Sequence, residues 1–266
     1  MLKRRQLPVA LTIAGSDSGG GAGIQADLKT FAAVGVHGTS VVTAITAQSP
    51  KRVVGIQATE PAMVNCQLAS AFNEFRPQAI KTGMLFSAEI IHEVVVFLTL
   101  AGKIPPLIVD PVMVSTSGTR LLDEQAVEVL KNELLPLAAL VTPNISEAEA
   151  LTGFHITEPE NMRTVARLIR QNFGCAVLIK GGHLLDTKQA IDIFYDGKSE
   201  LLLTSPRVKG LSFHGTGCTY SAAIAGYCAL GQALPEAVVS AKEFITQTIA
   251  QSRRAGGHSV LNCFWK

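Results

Sequence analysis

The run Val9-Ala10-Leu11-Thr12-Ile13-Ala14 passes directly into Gly15-Ser16-Asp17-Ser18-Gly19-Gly20-Gly21-Ala22-Gly23, and an amphipathic stretch begins at Ile24. An apolar run one strand long, a glycine-rich turn and a helical pattern in immediate succession open an α/β unit. The same pairing recurs along the chain. Further strands are predicted over Val41–Ala47, Val53–Ala58, Ala79–Thr82, Leu107–Asp110, Leu140–Thr142 and Ala176–Lys180. Helices are predicted over Ile24–Ala33, Pro61–Phe75, Ala88–Leu100, Asp123–Leu134, Pro159–Asn172, Thr216–Leu230 and Pro235–Ser252. Alternation of this kind places helices on both faces of a largely parallel sheet. Ile191–Tyr195 and Leu201–Ser205, parted by Asp196-Gly197-Lys198, read as a hairpin because Asp-Gly is a strong turn signal. No Pro/Ser-rich linker, charge run or internal repeat interrupts the pattern, so one domain over residues 1–266 is expected.

The 266 residues are 47% hydrophobic and 17% charged, which suits a compact core rather than a disordered chain. A net charge of +2 supplies no broad field for nucleic acid or an anionic membrane, so any anion must be held locally. The basic start Met1–Arg5 followed by apolar Leu7–Ala14 resembles a signal peptide only superficially. Its apolar part is too short and runs into the glycine turn without a cleavage pattern. No apolar stretch reaches the roughly 18 residues of a membrane span, and a soluble cytoplasmic protein is expected. Cys66, Cys175, Cys218, Cys228 and Cys263 are widely spaced without a CxxC, indicating neither a zinc site nor a disulfide framework. Apart from Cys218 they read as small buried hydrophobes.

The first glycine cluster lets backbone amides approach a ligand, although a tight turn without ligand satisfies the same pattern. It is not a P-loop, because Gly21-Ala22 follows Gly20 where Lys-Ser/Thr is required. Gly21-Ala22-Gly23-Ile24-Gln25-Ala26 matches a dinucleotide fingerprint, but no acid for a ribose occurs between Asp27 and Glu60. A second cluster, His214-Gly215-Thr216-Gly217-Cys218, opens an apolar helix, and Gly215 and Gly217 free the unpaired N–H groups of its first turn as an anion hole. Cys218 lies in that turn, where an electropositive setting is expected to lower its pKa. Two further segments follow strand ends, where parallel sheets bind ligands: Asp110-Pro111-Val112-Met113, and Thr142-Pro143-Asn144-Ile145-Ser146-Glu147. In the second, Asn144 or Ser146 serves equally well as a helix cap. Lys180-Gly181-Gly182-His183 ends a later strand and carries a cation there.

Taken together, these segments resemble the hydroxymethylpyrimidine/phosphomethylpyrimidine kinases. The likeness runs from about Leu11 to the C-terminus and also takes in Ala14-Gly15-Ser16-Asp17, Ala47-Gln48 and Lys81-Thr82-Gly83-Met84-Leu85. It implies a ribokinase-like three-layer αβα sandwich that moves the ATP γ-phosphate first to a hydroxymethyl group and then to the resulting monophosphate, with Mg²⁺ and as a homodimer. It further implies that Gly15, Asp27, Gln48, Met84 and Val112 hold the pyrimidine, and that Asn144, Glu147 and Lys180 serve Mg-ATP. Asp110 and Glu147 are then the expected metal ligands, and Cys218, with Gly215 and Gly217, the catalytic group. The ending Gly256-Gly257-His258-Ser259-Val260 departs from the family's form, and some relatives phosphorylate pyridoxal.

Overall fold

The computed structural model describes residues 6–114, 121–182, 189–208 and 213–265. His183 therefore lies outside the described residues. The chain opens with β1 (Val9–Asp17) and α1 (Gly23–Val34), then β2 (His37–Ser49), β3 (Arg52–Ala58), α2 (Pro61–Phe75), β4 (Ala79–Thr82) and α3 (Ala88–Leu100). β5 (Leu107–Val109), α4 (Glu124–Val129), β6 (Leu140–Val141), α5 (Ile145–Thr152), α6 (Pro159–Phe173) and β7 (Ala176–Lys180) follow. The last elements are β8 (Gln189–Tyr195), β9 (Glu200–Pro206), α7 (Thr216–Ala229), α8 (Leu234–Ala250), β10 (Arg253–Ala255) and β11 (His258–Val260).

Among the described residues nine strands form one sheet in the order β3-β2-β1-β4-β5-β6-β7-β8-β9. The six from β2 to β7 run parallel, β3 and β8 flank them antiparallel, and β9 pairs antiparallel with β8 and so runs with the six again. Side-chain alternation sorts the core into two layers. Leu11, Ile13, Leu107, Val109, Val177 and Ile179 pack under α2 to α6. Ala10, Ile108, Ala176 and Leu178 pack with Phe31 of α1 and with α7 and α8 on the other face. Burying each such Leu or Ile contributes about 1.5–3 kcal/mol, so both helical layers are held by the sheet's apolar pleats. The architecture is the expected three-layer sandwich.

Strand register brings the functional ends level. Ile13 pairs with Thr82, Thr82 with Val109, Val109 with Val141, and Val141 with Val177. The chain builds outward to one side of β1 through β2 and to the other through β4, so the order reverses beside β1, where such sheets bind ligands at their C-terminal ends.

Several elements run past their sequence-based limits. β1 continues through Ser16 and Asp17 because a bulge in β2, where Thr43 and Ala44 stand opposite Gly15, re-registers it against Ile45 and Thr46. The helix expected over Asp123–Leu134 stays α-helical only to Val129, then passes through a π turn at Leu130–Leu134 and a 3₁₀ turn at Leu135–Leu137. Asn144 caps α5, its side chain accepting from Glu147 N–H while Glu147 accepts from Asn144 N–H. Cys66, expected in the core, is exposed on α2. The buried stripe of that helix is Val64, Leu68 and Ala71, and Cys66 lies off it. No helix among the described residues is long and apolar enough to cross a membrane.

Candidate active site

A cavity of about 570 Å³ opens over the C-terminal ends of β1, β4, β5, β6 and β7, a volume suited to small-molecule ligands. Of the residues singled out from sequence, Gly15, Gln48, Met84, Val112, Asp110 and Asn144 line it, and so do Glu147, Lys180, Gly215, Gly217 and Cys218. Asp27 does not. It is fully buried beneath the lining, where its Oδ2 accepts from Thr12 Oγ1 at 2.6 Å and pairs with Lys81 Nζ at 2.8 Å. Its Oδ1 is buried without a partner. Burial raises the Asp27 carboxyl above its ordinary value, although Lys81 and Thr12 pull the other way.

At one end of the cavity the wall is apolar. Met84 packs with Ala44 and Leu121, and Val112, Ile56 and Phe86 border them. Gly15 N–H donates to the Met84 carbonyl at 3.1 Å, which ties β1 to this wall. Gln48 is the polar group here, 3.1 Å from Thr46 Oγ1 and 2.8 Å from His214 Nε2. His214 Nε2 also lies 3.1 Å from Asp17 Oδ2. One imidazole nitrogen cannot accept from an amide and donate to a carboxylate at once. With Asp17 ionised, the proton count closes when Gln48 turns its oxygen to His214 and its NH₂ to Thr46 Oγ1, which donates to the Ser16 carbonyl at 2.8 Å. The carboxamide keeps one free lone pair and one free N–H.

The first glycine cluster proves to be filled from within. Asp17 Oδ1 accepts from Gly19 N–H at 2.8 Å, and Oδ2 accepts from Gly21 and Ala22 N–H at 3.0 and 2.8 Å. These amides form a nest whose anion is the protein's own carboxylate. Burial would raise Asp17, but His214 and the loop amides hold it below the ordinary carboxylate range. The two glycine clusters also interlock. Gly215, at φ 82°, is the N-cap of α7, and a Cβ there would stand 1.8 Å from the Gly21 carbonyl, so no side chain fits.

The centre of the cavity is charged. Asp110, just beyond β5, takes Lys180 Nζ at 2.7 Å and Thr142 Oγ1 at 3.2 Å on Oδ1, and Ser221 Oγ of α7 at 3.2 Å on Oδ2. Burial would raise the Asp110 carboxyl, and the Lys180 and Lys81 ammoniums hold it below its usual value. Glu147 is pushed up to about 7 by burial against the pull of Lys180, with the Asp110 charge adding to the rise. The carboxylates of Asp110 and Glu147 match what Mg²⁺ takes from proteins, one or two carboxylates with the remaining positions left to water and phosphate. Among the described residues no group of three or more His, Cys, Asp or Glu is arranged as a closed metal cage.

The expected lowering of the Cys218 pKa is overturned. Burial pushes the thiol up to about 11, Lys81 opposes the rise, and the Asp110 and Asp27 charges add to it. The α7 N-terminus is electropositive as the sequence implied, but two carboxylates brought in by β5 and α1 lie out of view of the local sequence. A thiol at about 11 is ionised in about one molecule in 10⁴ at pH 7.

Lys81, Asp17, His214 and Ser221 were not assigned roles from sequence. Lys81 carried the clearest signal, an ammonium inside an apolar strand, which must find a charged partner when buried. It is fully buried, and Asp27 with Cys218 raises its pKa against the effect of burial. His214 and Asp17 each stand inside a motif whose glycines draw the attention instead.

A family model described as phosphomethylpyrimidine kinase matches residues 17–262. A hydroxymethylpyrimidine/phosphomethylpyrimidine kinase of Synechococcus elongatus is 45% identical over 260 residues, covering 97% of this chain and 98% of that protein. A thiamine biosynthesis bifunctional protein of Geobacter sulfurreducens is 49% identical over 253 residues, 95% of this chain, which spans about half (51%) of that protein's length. Among solved structures, an ADP complex of Bacillus subtilis pyridoxal kinase superposes with a TM-score of 0.88 at 35% identity, covering 97% of each chain. The phosphomethylpyrimidine kinase of Clostridium difficile superposes at 0.80 with 44% identity, covering 91% of this chain and 99% of that one.

Proposed function

The chain belongs to the phosphomethylpyrimidine kinase family, and we propose that it phosphorylates 4-amino-5-hydroxymethyl-2-methylpyrimidine and then the monophosphate, with ATP as donor, in thiamine diphosphate biosynthesis. The observation that carries this reading is the order of groups along one cavity. An apolar wall with a carboxamide at Gln48 stands at one end, and the Asp110–Lys180–Glu147 cluster meets the first turn of α7 at the centre. Phosphoryl transfer asks for alignment of acceptor and donor and for positive charge around the moving group. Lys180 and the amides after Gly215 supply that charge, and Asn144 orders the strand-end turn beside them. Asp110 and Glu147 would hold Mg²⁺, which supplies charge neutralisation on the donor phosphates when bound. Cys218 stands in the first turn as acceptor of the alcohol's proton. Its thiolate is scarce in the resting protein, because burial and the Asp110 and Asp27 charges hold the thiol up against the pull of Lys81 and the Gly23 N–H. A homodimer, which rests on the family resemblance, and a cytoplasmic setting complete the reading.

A second reading follows from the solved structures, since two pyridoxal kinases superpose with higher TM-scores, 0.88 and 0.87, than the phosphomethylpyrimidine kinase at 0.80. Gln48 separates the two. Its free lone pair and N–H match an aminopyrimidine edge, whose exocyclic amine donates and whose ring nitrogen accepts. Pyridoxal has no such edge. Leaving a buried polar edge unpaired costs about 1–3 kcal/mol, so Gln48→Leu should lower kcat/KM for the hydroxymethylpyrimidine about ten- to a hundredfold. Any turnover of pyridoxal should change far less. Proportional loss on both substrates would remove the pyrimidine assignment.

A further inference from the structure

The far end of the cavity holds a buried ion pair with no part in the reaction as derived so far. Lys242 on α8 places Nζ 2.7 Å from Asp192 Oδ2 and 3.3 Å from the Ala190 carbonyl. The two side chains are 10% and 5% exposed. Asp192 stands in the middle of β8, and its other oxygen, Oδ1, accepts from Gly181 N–H at 3.0 Å. Gly181 itself is pressed onto β8, since a Cβ there would meet the Ile191 carbonyl at 2.2 Å.

Asp192 is also the direct antiparallel partner of Lys180. Residues directly opposite in such a pair project to the same face with Cβ atoms about 4.5–5.5 Å apart. Both line the cavity. Besides Asp110 and Glu147 across the site, Lys180 therefore has a third carboxylate, Asp192 across the ladder, within reach of its flexible side chain. It engages Asp110, at 2.7 Å, while Asp192 is taken by Lys242. We infer that Lys242 is a positioning residue: by neutralising Asp192 it leaves Lys180 to Asp110 and the phosphoryl site. Without Lys242, Asp192 would keep the Gly181 N–H and the Tyr220 hydroxyl beside it but no cation, and a buried carboxylate facing Lys180 in that state demands a positive partner.

This inference rests on the proposed donor-side role of Lys180, and one set of variants tells the two apart. The readouts are kcat and KM for ATP, the dissociation constant of the hydroxymethylpyrimidine by calorimetry, and the thermal midpoint of each variant. Lys242→Met should lower kcat about ten- to a hundredfold, the scale of a misplaced catalytic group, with pyrimidine binding intact. Adding Asp192→Asn removes the competing charge while keeping an acceptor for Gly181, and should restore kcat to within about threefold of the parent. Lys242→Arg, which retains the charge, should keep most of the activity. In a Lys180→Met background, Lys242→Met should have no more than about a twofold effect on kcat. Unchanged kcat in Lys242→Met, a deeper loss on adding Asp192→Asn, or an undiminished loss in the Lys180→Met background would overturn the inference while leaving the role of Lys180 standing. A Lys180→Met variant with unchanged kcat would overturn both.

Discussion

Cys218→Ala should slow phosphorylation of the alcohol by about 10²–10⁴-fold, the usual worth of general-base assistance, and slow phosphorylation of the monophosphate much less. The asymmetry comes from the acceptors. A hydroxymethyl group must lose a proton as it attacks, whereas a phosphate monoester near neutral pH already presents an ionised oxygen. The pH profile adds a second signature. The thiol is held up near about 11 by burial and by Asp110 and Asp27, so its active, ionised form grows about tenfold per pH unit below that value. The alcohol step should therefore climb with pH in the wild type and flatten in Cys218→Ala. Equal losses on both acceptors, or an unchanged profile, would reduce Cys218 to packing at the α7 N-terminus.

Lys180→Ala should lower ATP-dependent turnover by about 10²–10³-fold, the cost of removing one preorganised charge aimed at the transition state, with equilibrium binding of the pyrimidine nearly intact. Lys180 lies at the cavity centre against Asp110, away from the apolar wall formed by Met84 and Leu121. The variant also leaves Asp110 and Glu147 facing each other without their shared cation, and breaking a buried pair in this way destabilises by about 3–5 kcal/mol. A lower thermal midpoint is thus part of the expected result, and kinetics belong well below it. Glu147→Ala should weaken the same ATP-dependent step. Collapse of pyrimidine binding with ATP dependence unchanged would place Lys180 on the acceptor side.

The legible part of this protein is what local chemistry writes into the chain. Strand ends followed by Gly15, Gly83, Asp110, Asn144 and Gly181 announced the ligand-binding edge, and register then aligned them. The open choice of cap for α5 resolved to Asn144, whose carboxamide accepts from Glu147 N–H. Cys66, expected in the core, lies instead off the stripe of Val64, Leu68 and Ala71 that α2 buries. What local sequence does not carry is the company a residue keeps across elements. Cys218 at a helix N-terminus reads as an activated thiol until α1 and β5 bring Asp27 and Asp110 beside it. The first glycine cluster reads as an anion site until Asp17 folds back into its amides. Gln48 reads as a free polar edge until Thr46 and His214, 166 positions away, take up part of it.

The most direct test of the account is ADP release by the purified protein with Mg-ATP and, in parallel, the hydroxymethylpyrimidine, its monophosphate and pyridoxal. The account predicts turnover of the first to the monophosphate and of the second to the diphosphate, each with a higher kcat/KM than pyridoxal. A higher kcat/KM for pyridoxal, or no ADP released with either pyrimidine, would contradict it.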